Sequence, residues 1–178
     1  MALDPDNVKI WEYARVFVSF AVDRPALPAS IDADYGTDWE EVGILSGDDG
    51  ITEDRASSES KHFGWGIGLI KVGDKNFELT RKFWVLEDNA TTQKIVNPGS
   101  TATKILMPKH TYAWLGFETD SDLGDKERLT TTRRAKLKVP ANNRTESDPT
   151  KWEVNVLLFA NGLGEVFDRQ AGVPTPTP

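Results

Sequence analysis

The residues that could support catalysis are few and scattered. The two histidines are His62, within a polar run, and His110, shortly after Pro108, and neither sits in a catalytic cluster. A Ser-His-Asp site of the hydrolase type would need a Gly-x-Ser-x-Gly turn, which this sequence lacks. There is no cysteine, which excludes disulfides, thiolate metal sites and cysteine nucleophiles. We therefore expect no catalytic residues and no enzymatic activity.

Two short motifs resemble ligand sites without meeting their requirements. The glycines of Gly64-x-Gly66-x-Gly68 lack the last glycine and the following helix of a dinucleotide fingerprint. A close approach of backbone within a strand explains these glycines better. The run SGDDGITED (46–54) resembles a calcium loop, but EF-hand spacing would place Gly47 and Ala56 at ligand positions. We therefore expect neither a cofactor nor a metal.

One basic cluster stands out, formed by Arg133, Arg134, Lys136 and Lys138. The basic residues alternate with Ala135, Leu137 and Val139, which predicts a strand with one solvated face. The alternative is a charged surface that contacts an acidic partner, such as residues 34–59 of another copy of the chain. The sequence leaves both interpretations open.

Residues 46–62 form a long polar run in which Ile51 is the one strong apolar side chain. Such a run in a compact domain is usually functional or disordered, and its composition cannot offset the entropy of ordering within one subunit. We predict a long acidic arm that becomes ordered as a hairpin against another copy; a mobile surface loop is the alternative. The predicted inter-subunit contact residues are Asp48, Asp49, Ile51, Glu53, Asp54, Arg55, Glu59, Phe63, Trp65, Arg133 and Arg134.

The remaining pattern predicts one mainly β domain over residues 1–178, with about eight strands and one short helix. Period-two apolar residues predict strands at 15–22, 103–107, 111–119, 135–139 and 152–158. Residues 67–69 and 77–79 are predicted to pair around a turn at 73–76. The helix is predicted at about 87–97, capped by Asp88 or Asn89. Strands with turns every 8–15 residues predict an antiparallel β-sandwich or barrel.

The tryptophans and the chain ends complete the structural predictions. We expect Trp84 and Trp152 in the core, whereas Trp39, Trp65 and Trp114 are either core or interface residues. Residues 1–14 are predicted to form an N-terminal arm, and the Pro/Thr-rich residues 171–178 an extended tail.

Charge is distributed unevenly over the chain, whose net charge is −7. Residues 1–60 contain fourteen acidic and four basic side chains. This distribution argues against a dedicated nucleic-acid binder, which normally presents a basic face. No run approaches the roughly 20 apolar residues of a membrane span, and the N-terminus lacks the features of a signal peptide.

The order of several motifs resembles the major tail tube proteins of long-tailed bacteriophages. The chain has RVFVSFAV, then ALP, then DWEEVGILSGDDGIT with an extra Gly47-Asp48, then GWG and finally FELT and WVLEDN. In that family a strand and a Leu-Pro connector precede a Trp-x-x-x-Gly-x-x-Ser-x-Asp-Gly element and a long arm. A hydrophobic-x-x-Glu strand end then leads into a single helix. The resemblance extends from about Arg15 to Asn97.

This resemblance implies a fold and a function. The fold would be a two-sheet sandwich with one helix, of which six copies form a ring and the rings stack into a tube. The arm would reach the next ring, and DNA would pass through the lumen without specific binding. The implied partners are other copies, a tape measure protein in the lumen, tail terminator and distal tail proteins, and double-stranded DNA in transit. No membrane is implied, and the location is the virion after assembly in the host cytoplasm.

Two other functions fit the same residues. The chain could be the tube protein of a contractile tail or secretion system, or a carbohydrate-binding β-sandwich that uses exposed tryptophan faces.

Overall fold

The computed structural model describes residues 8–172. Within them lie nine strands and one helix. In chain order these are β1 (Trp11–Ser19), β2 (Glu40–Glu41), β3 (Ile51–Gly64), β4 (Gly68–Val85), α1 (Ala90–Val96), β5 (Thr111–Ser121), β6 (Lys126–Thr131), β7 (Ala135–Lys138), β8 (Trp152–Leu157) and β9 (Phe167–Gly172). The predicted mainly β class with one short helix is confirmed.

All strand pairs are antiparallel, and the sheet branches at β5. The main path has the order β2-β1-β5-β7-β8-β4-β3. Residues Thr111–Ala113 of β5 pair with β7, whereas Gly116–Asp120 pair with β6, which in turn pairs with β9. The barrel alternative is wrong for the described residues, because β2, β3 and β9 each have a single neighbouring strand and the sheet does not close.

Both branches of the sheet contribute side chains to one hydrophobic core. The Phe117 ring of β5 contacts Phe83 of β4 and Phe167 of β9 edge-on, with ring centroids 6.2 and 6.1 Å apart. The period-two patterns of the late strands are confirmed, since the inward side chains are buried or partly buried. The fully buried core residues include Val16, Val18, Val42, Phe83, Val85, Ala113, Leu115, Ala135, Val154 and Val156.

A second, smaller apolar cluster covers the other face of β1. It contains Phe17, Trp39 and Trp114, with Tyr35 packed against them. Both indole groups donate to backbone oxygens, Trp39 to Ala26 at 3.1 Å and Trp114 to Ala21 at 3.2 Å. Trp39 and Trp114 are therefore core residues of this chain.

Trp152 is buried as predicted, but Trp84 is only partly buried, so its assignment to the core is wrong. The neighbouring Phe83 and Val85 point into the core instead, and alternation along β4 turns Trp84 to the opposite face.

Three segment boundaries differ from the sequence prediction. β1 begins at Trp11 and ends at Ser19, because residues 11–19 pair with β5. Residues 11–14 therefore belong to the sheet and not to the predicted N-terminal arm. Val22 lies beyond this strand and is exposed.

The predicted strand at 103–107 is wrong. Thr101 and Lys104 form an isolated bridge, and Ile105, Leu106 and Met107 are exposed. Pro108 follows directly; it cannot donate a ladder hydrogen bond, which disfavours pairing here. At the C-terminus, residues 171–172 complete β9 instead of joining an extended tail. The predictions for residues 1–7 and 173–178 lie outside the described residues.

Helix α1 fixes the segment that leads into β3. The Asn89 side chain caps the helix by accepting from the Thr92 N–H at 2.8 Å, which confirms one of the two predicted caps. Asn89 and Thr92 also donate through their side chains to the Val42 carbonyl, both at 2.9 Å. The pKa of Glu40 is lowered mainly by hydrogen bonding from Lys94. These bonds hold residues 40–46 against the helix, at the foot of the β3–β4 pair.

Candidate interaction site

Strands β3 and β4 form one long hairpin, from Ile51 opposite Phe83 to Gly64 opposite Gly68. The predicted turn at 73–76 is wrong, because residues 73–75 pair with 58–60 inside the hairpin. The prediction that residues 46–62 find backbone partners only in another copy is also wrong. Residues 51–62 pair with β4 of the same chain, a single strand where two shorter strands are predicted.

Glycine conformation explains where the hairpin turns. The Ile67 N–H donates to the Gly64 carbonyl at 3.2 Å, and Gly66 and Gly68 have φ of +76° and +92°. These left-handed values favour glycine. A Cβ on Gly64 would lie 2.3 Å from the side-chain atom Ile70 Cδ1, whereas a Cβ on Gly66 or Gly68 would meet nothing within 4 Å, so the predicted close approach of backbone is wrong.

Asn76 explains why residues 73–76 do not turn the chain. Its φ of +55° coincides with a register shift between Ala56 and Ser58. Asparagine tolerates this conformation better than most residues, and a β-bulge accommodates the extra residue without ending the strand. A second shift lies between His62 and Phe63.

Most of the hairpin extends away from the core. β8 pairs with Thr80–Val85 of β4, and the Leu158 N–H donates to the Leu79 carbonyl at 3.1 Å, so β3 is the strand that pairs with Gly68–Glu78. With about 3.3 Å per residue, the thirteen steps from Ile51 to Gly64 place the turn about 40 Å from the base. A two-stranded ribbon without a third strand is marginally stable in water. Additional contacts would therefore stabilise it.

The hairpin tip, defined as residues 61–72, is apolar and cationic. Trp65 is 103% exposed and Ile67 82%, and other large apolar side chains of the tip are also exposed. Lys61 and Lys71 are its charged residues, and it contains no Asp or Glu. The tip thus has a net charge of +2 with His62 neutral. An exposed apolar patch of this kind marks an interaction site.

A groove of about 820 Å³ lies at the base of the hairpin, between β1, the segment 41–53 and β6. Trp11, Tyr13 and Ile44 offer exposed apolar surface there. The lining also holds five acidic residues and two arginines, a net charge of −3. This base groove includes the charged residues Glu12, Glu41, Glu53, Glu87, Glu127, Arg15 and Arg81.

Glu53 is the most strongly bonded carboxylate of the base groove. It accepts from Arg81 Nε at 2.8 Å and from Arg55 Nη2 at 2.7 Å. Burial acts to raise the pKa of Glu53, but hydrogen bonding from Arg81 and Arg55 outweighs it, and the net shift is downward. Glu53 therefore already has partners in its own chain.

The other predicted contact residues on the acidic run divide into two groups. Asp49 is bonded at the base, to Lys151 Nζ and Ser46 Oγ at 2.7 Å each, and these bonds lower its pKa. Ile51 packs against the core. The other predicted contact residues of this region are exposed: Asp48, Asp54, Arg55, Glu59, Phe63 and Trp65.

Arg133 and Arg134 lie elsewhere, in the connection between β6 and β7. Arg133 Nη1 donates to the Ala160 carbonyl at 3.1 Å and Arg134 Nη2 to the Tyr112 carbonyl at 2.5 Å. They line an open depression of about 740 Å³ together with His110 and Phe159. Among the described residues neither arginine forms an ion pair with the acidic run. The structure does not bring these two groups together.

Sequence reasoning missed half of the tip and one wall of the base groove. Leu69 and Ile70 complete the tip, and Trp11 and Tyr13 line the groove. In the sequence, the spacing of Gly64, Gly66 and Gly68 is the feature that could have indicated the turn. No local signal connects residue 11 to residue 127, because only the β1–β5–β6 pairing brings them together.

Residues 8–172 contain no convergent group of three metal-ligating His, Asp or Glu side chains. Over the same range no helix is long and apolar enough to cross a bilayer.

These features define a mainly β antiparallel protein with a long hairpin, an exposed apolar patch at its tip and a groove at its base. The chain matches no protein-family model, and no curated protein is significantly similar to it in sequence.

Proposed function

We propose that this protein is a non-catalytic structural subunit that assembles with copies of itself into rings, which stack into the tail tube of a long-tailed bacteriophage. The observation that carries the proposal is the uncovered apolar tip of the hairpin. Trp65 and Ile67 are almost fully exposed at the end of a ribbon that no other part of residues 8–172 covers. Such surface is costly in water and is stabilised when a partner buries it.

Unpaired strand edges give a second line of support. β3 has fourteen residues and one neighbouring strand, and β9 is also an edge of the sheet. Exposed edges are templates for pairing with another chain, and closing them edge to edge around a ring removes them. In the proposed assembly the two branches of the sheet, joined through Phe83 and Phe117, are the two layers of a sandwich.

The motif order from Arg15 to Asn97, which resembles that of tail tube proteins, supports this class of assembly. The proposed ring contains six copies, with other copies, a tape measure protein, and terminator and distal tail proteins as its partners. Double-stranded DNA passes through the lumen in transit. The net charge of −7 is consistent with this passage, because phosphate binding grows with the number of cations presented.

Electron microscopy of the concentrated, purified chain tests the proposal. Hollow, striated tubes of uniform width are expected. A chain that stays monomeric at every concentration, and that is not induced to polymerise by partner proteins, would overturn it. Copurification of sheath or baseplate proteins would instead identify a contractile tail or secretion tube.

A carbohydrate-binding function has one feature in its favour, the exposed Trp65 indole. Trp114, the other candidate platform, is buried and hydrogen-bonded to Ala21, so it cannot present a face to a sugar. Glycan-array binding that disappears on Trp65→Ala would favour this function over assembly.

A further inference from the structure

We propose that the hairpin tip of one copy docks in the base groove of a second copy. The inference rests on the proposed self-assembly and specifies two surfaces that carry it.

Charge is the first reason. The tip has a net charge of +2 and no acidic residue, although Lys61 forms an ion pair at 3.3 Å with Glu59 just outside it, whereas the base groove has a net charge of −3. Glu12 and Glu41 are exposed at the groove, and neither forms an ion pair within the described part of the chain. Opposite potentials favour encounter of these two surfaces and oppose tip–tip or groove–groove contacts.

Shape and polarity are the second reason. The groove volume of about 820 Å³ lies in the range typical of ligand-binding pockets, so the groove can hold several aromatic rings. Its exposed Trp11, Tyr13 and Ile44 side chains provide apolar contacts for the Phe63 and Trp65 rings. Aromatic anchors that enter a partly apolar pocket dominate the affinity of many interfaces.

The contact must form between two chains. The groove is built in part from Ile51, Glu53 and Arg81, at the base of the same hairpin. The tip lies about 40 Å from that base and cannot fold back onto it while the strands stay paired. Tip and groove are therefore separate surfaces on each copy.

A single tip–groove contact is heterologous and leaves a free groove and a free tip on the pair, unless the two copies exchange tips and close as a dimer. Each copy offers one tip and one groove, so addition continues until a ring closes or a filament grows. This geometry predicts how assembly propagates.

A pair of complementary variants tests the docking. The tip variant carries Phe63→Ser and Trp65→Ser, and the groove variant carries Glu12→Lys and Glu41→Lys. We expect each variant alone to need a concentration about a hundredfold higher than the unaltered chain to assemble. Mixed in equal amounts they should form a 1:1 complex, because one intact tip and one intact groove remain in the pair. Sedimentation velocity distinguishes the complex from monomers and polymers.

Controls make the result decisive. Phe77→Ser removes an exposed apolar side chain of the hairpin outside the tip and should leave assembly unchanged. Circular dichroism and urea unfolding should be the same for all variants as for the unaltered chain. A second route keeps the Phe63 and Trp65 rings: Lys61→Glu and Lys71→Glu combined with the groove variant in one chain reverse both charges and should restore assembly.

Three outcomes would overturn the docking. If the unaltered chain assembles and both variants assemble as well, other surfaces hold the copies together, and the proposed function still stands. If the unaltered chain never assembles, the proposed function and the docking both fail. If the tip variant instead loses binding to vesicles of anionic phospholipid while assembly is unchanged, the tip is a lipid-binding element.

Discussion

The two ends of the β3–β4 hairpin share the same backbone pairing but lie in opposite environments. At the base, Phe83 and Val85 are completely buried between the branches of the sheet. Toward the turn, Phe77 is 79% exposed and Trp65 fully so. Apolar residues at the base are explained by folding of the subunit. Those near the turn are left exposed by folding of the subunit, and under the proposed docking the rings of the tip are buried by another copy.

The largest expected effect lies at the buried end. Phe83→Ala removes a fully buried ring and should lower the free energy of unfolding by about 3–5 kcal/mol, through lost apolar burial and the cavity that remains. Urea unfolding followed by circular dichroism measures this loss. Phe83→Leu, which keeps more of the volume, should cost distinctly less; equal losses would contradict the packing argument.

A smaller effect is expected where the hairpin leaves the core, at Glu53. Glu53→Gln weakens the bonds to Arg81 and Arg55 and should cost about 1 kcal/mol of unfolding free energy at pH 7. The folded-state pKa of Glu53 lies below its ordinary value of 4.5. Its stabilising contribution is therefore complete above pH 4.5 and is lost as the pH falls through the folded pKa.

Urea unfolding at several pH values tests this dependence. The unaltered chain and the Glu53→Gln variant should differ in their free energy of unfolding near neutral pH, and the difference should disappear in acid. Glu59→Gln, at an exposed position paired with Lys61, is the matched control and should show no difference at either pH. A difference that persists unchanged in acid would rule out the ionised carboxylate as its cause.

The smallest effect on folding is expected near the turn. Phe77→Ala should change the free energy of unfolding by no more than about 0.5 kcal/mol, because the ring is exposed and leaves no cavity. The same urea titration measures it. A loss comparable to that of Phe83→Ala would mean that Phe77 is buried in the free subunit, and the contrast between the two ends would disappear.

Patterns tied to burial of one face were predictable from the sequence. Leu137 and Val154 lie where their period-two patterns place them, and Asn89 caps the helix because its short side chain reaches a free N–H. The hairpin offered no such pattern, because neither of its faces is buried beyond the base. Residues 73–76 are predicted as the turn, but the strand continues through them with a bulge at Asn76, and the chain turns at residues 64–68 instead.

The base groove could not be predicted for a different reason. Its walls come from Trp11, Glu53 and Glu127, which are far apart in the chain and meet only through strand pairing. The charges of these residues are visible in the sequence, but their grouping depends on topology. The contact between Glu53 and Arg81 likewise depends on the register between β3 and β4.

The length of the hairpin has a consequence for its natural variation. Side chains along a strand alternate between faces, so a single inserted residue in each strand would turn the far aromatic rings to the opposite side. Two residues added to each strand would keep their orientation and extend the reach by about 6–7 Å. Under the proposed docking, insertions of two residues in each strand would therefore change the distance between neighbouring copies. The aromatic rings of the tip would keep the same orientation toward the groove.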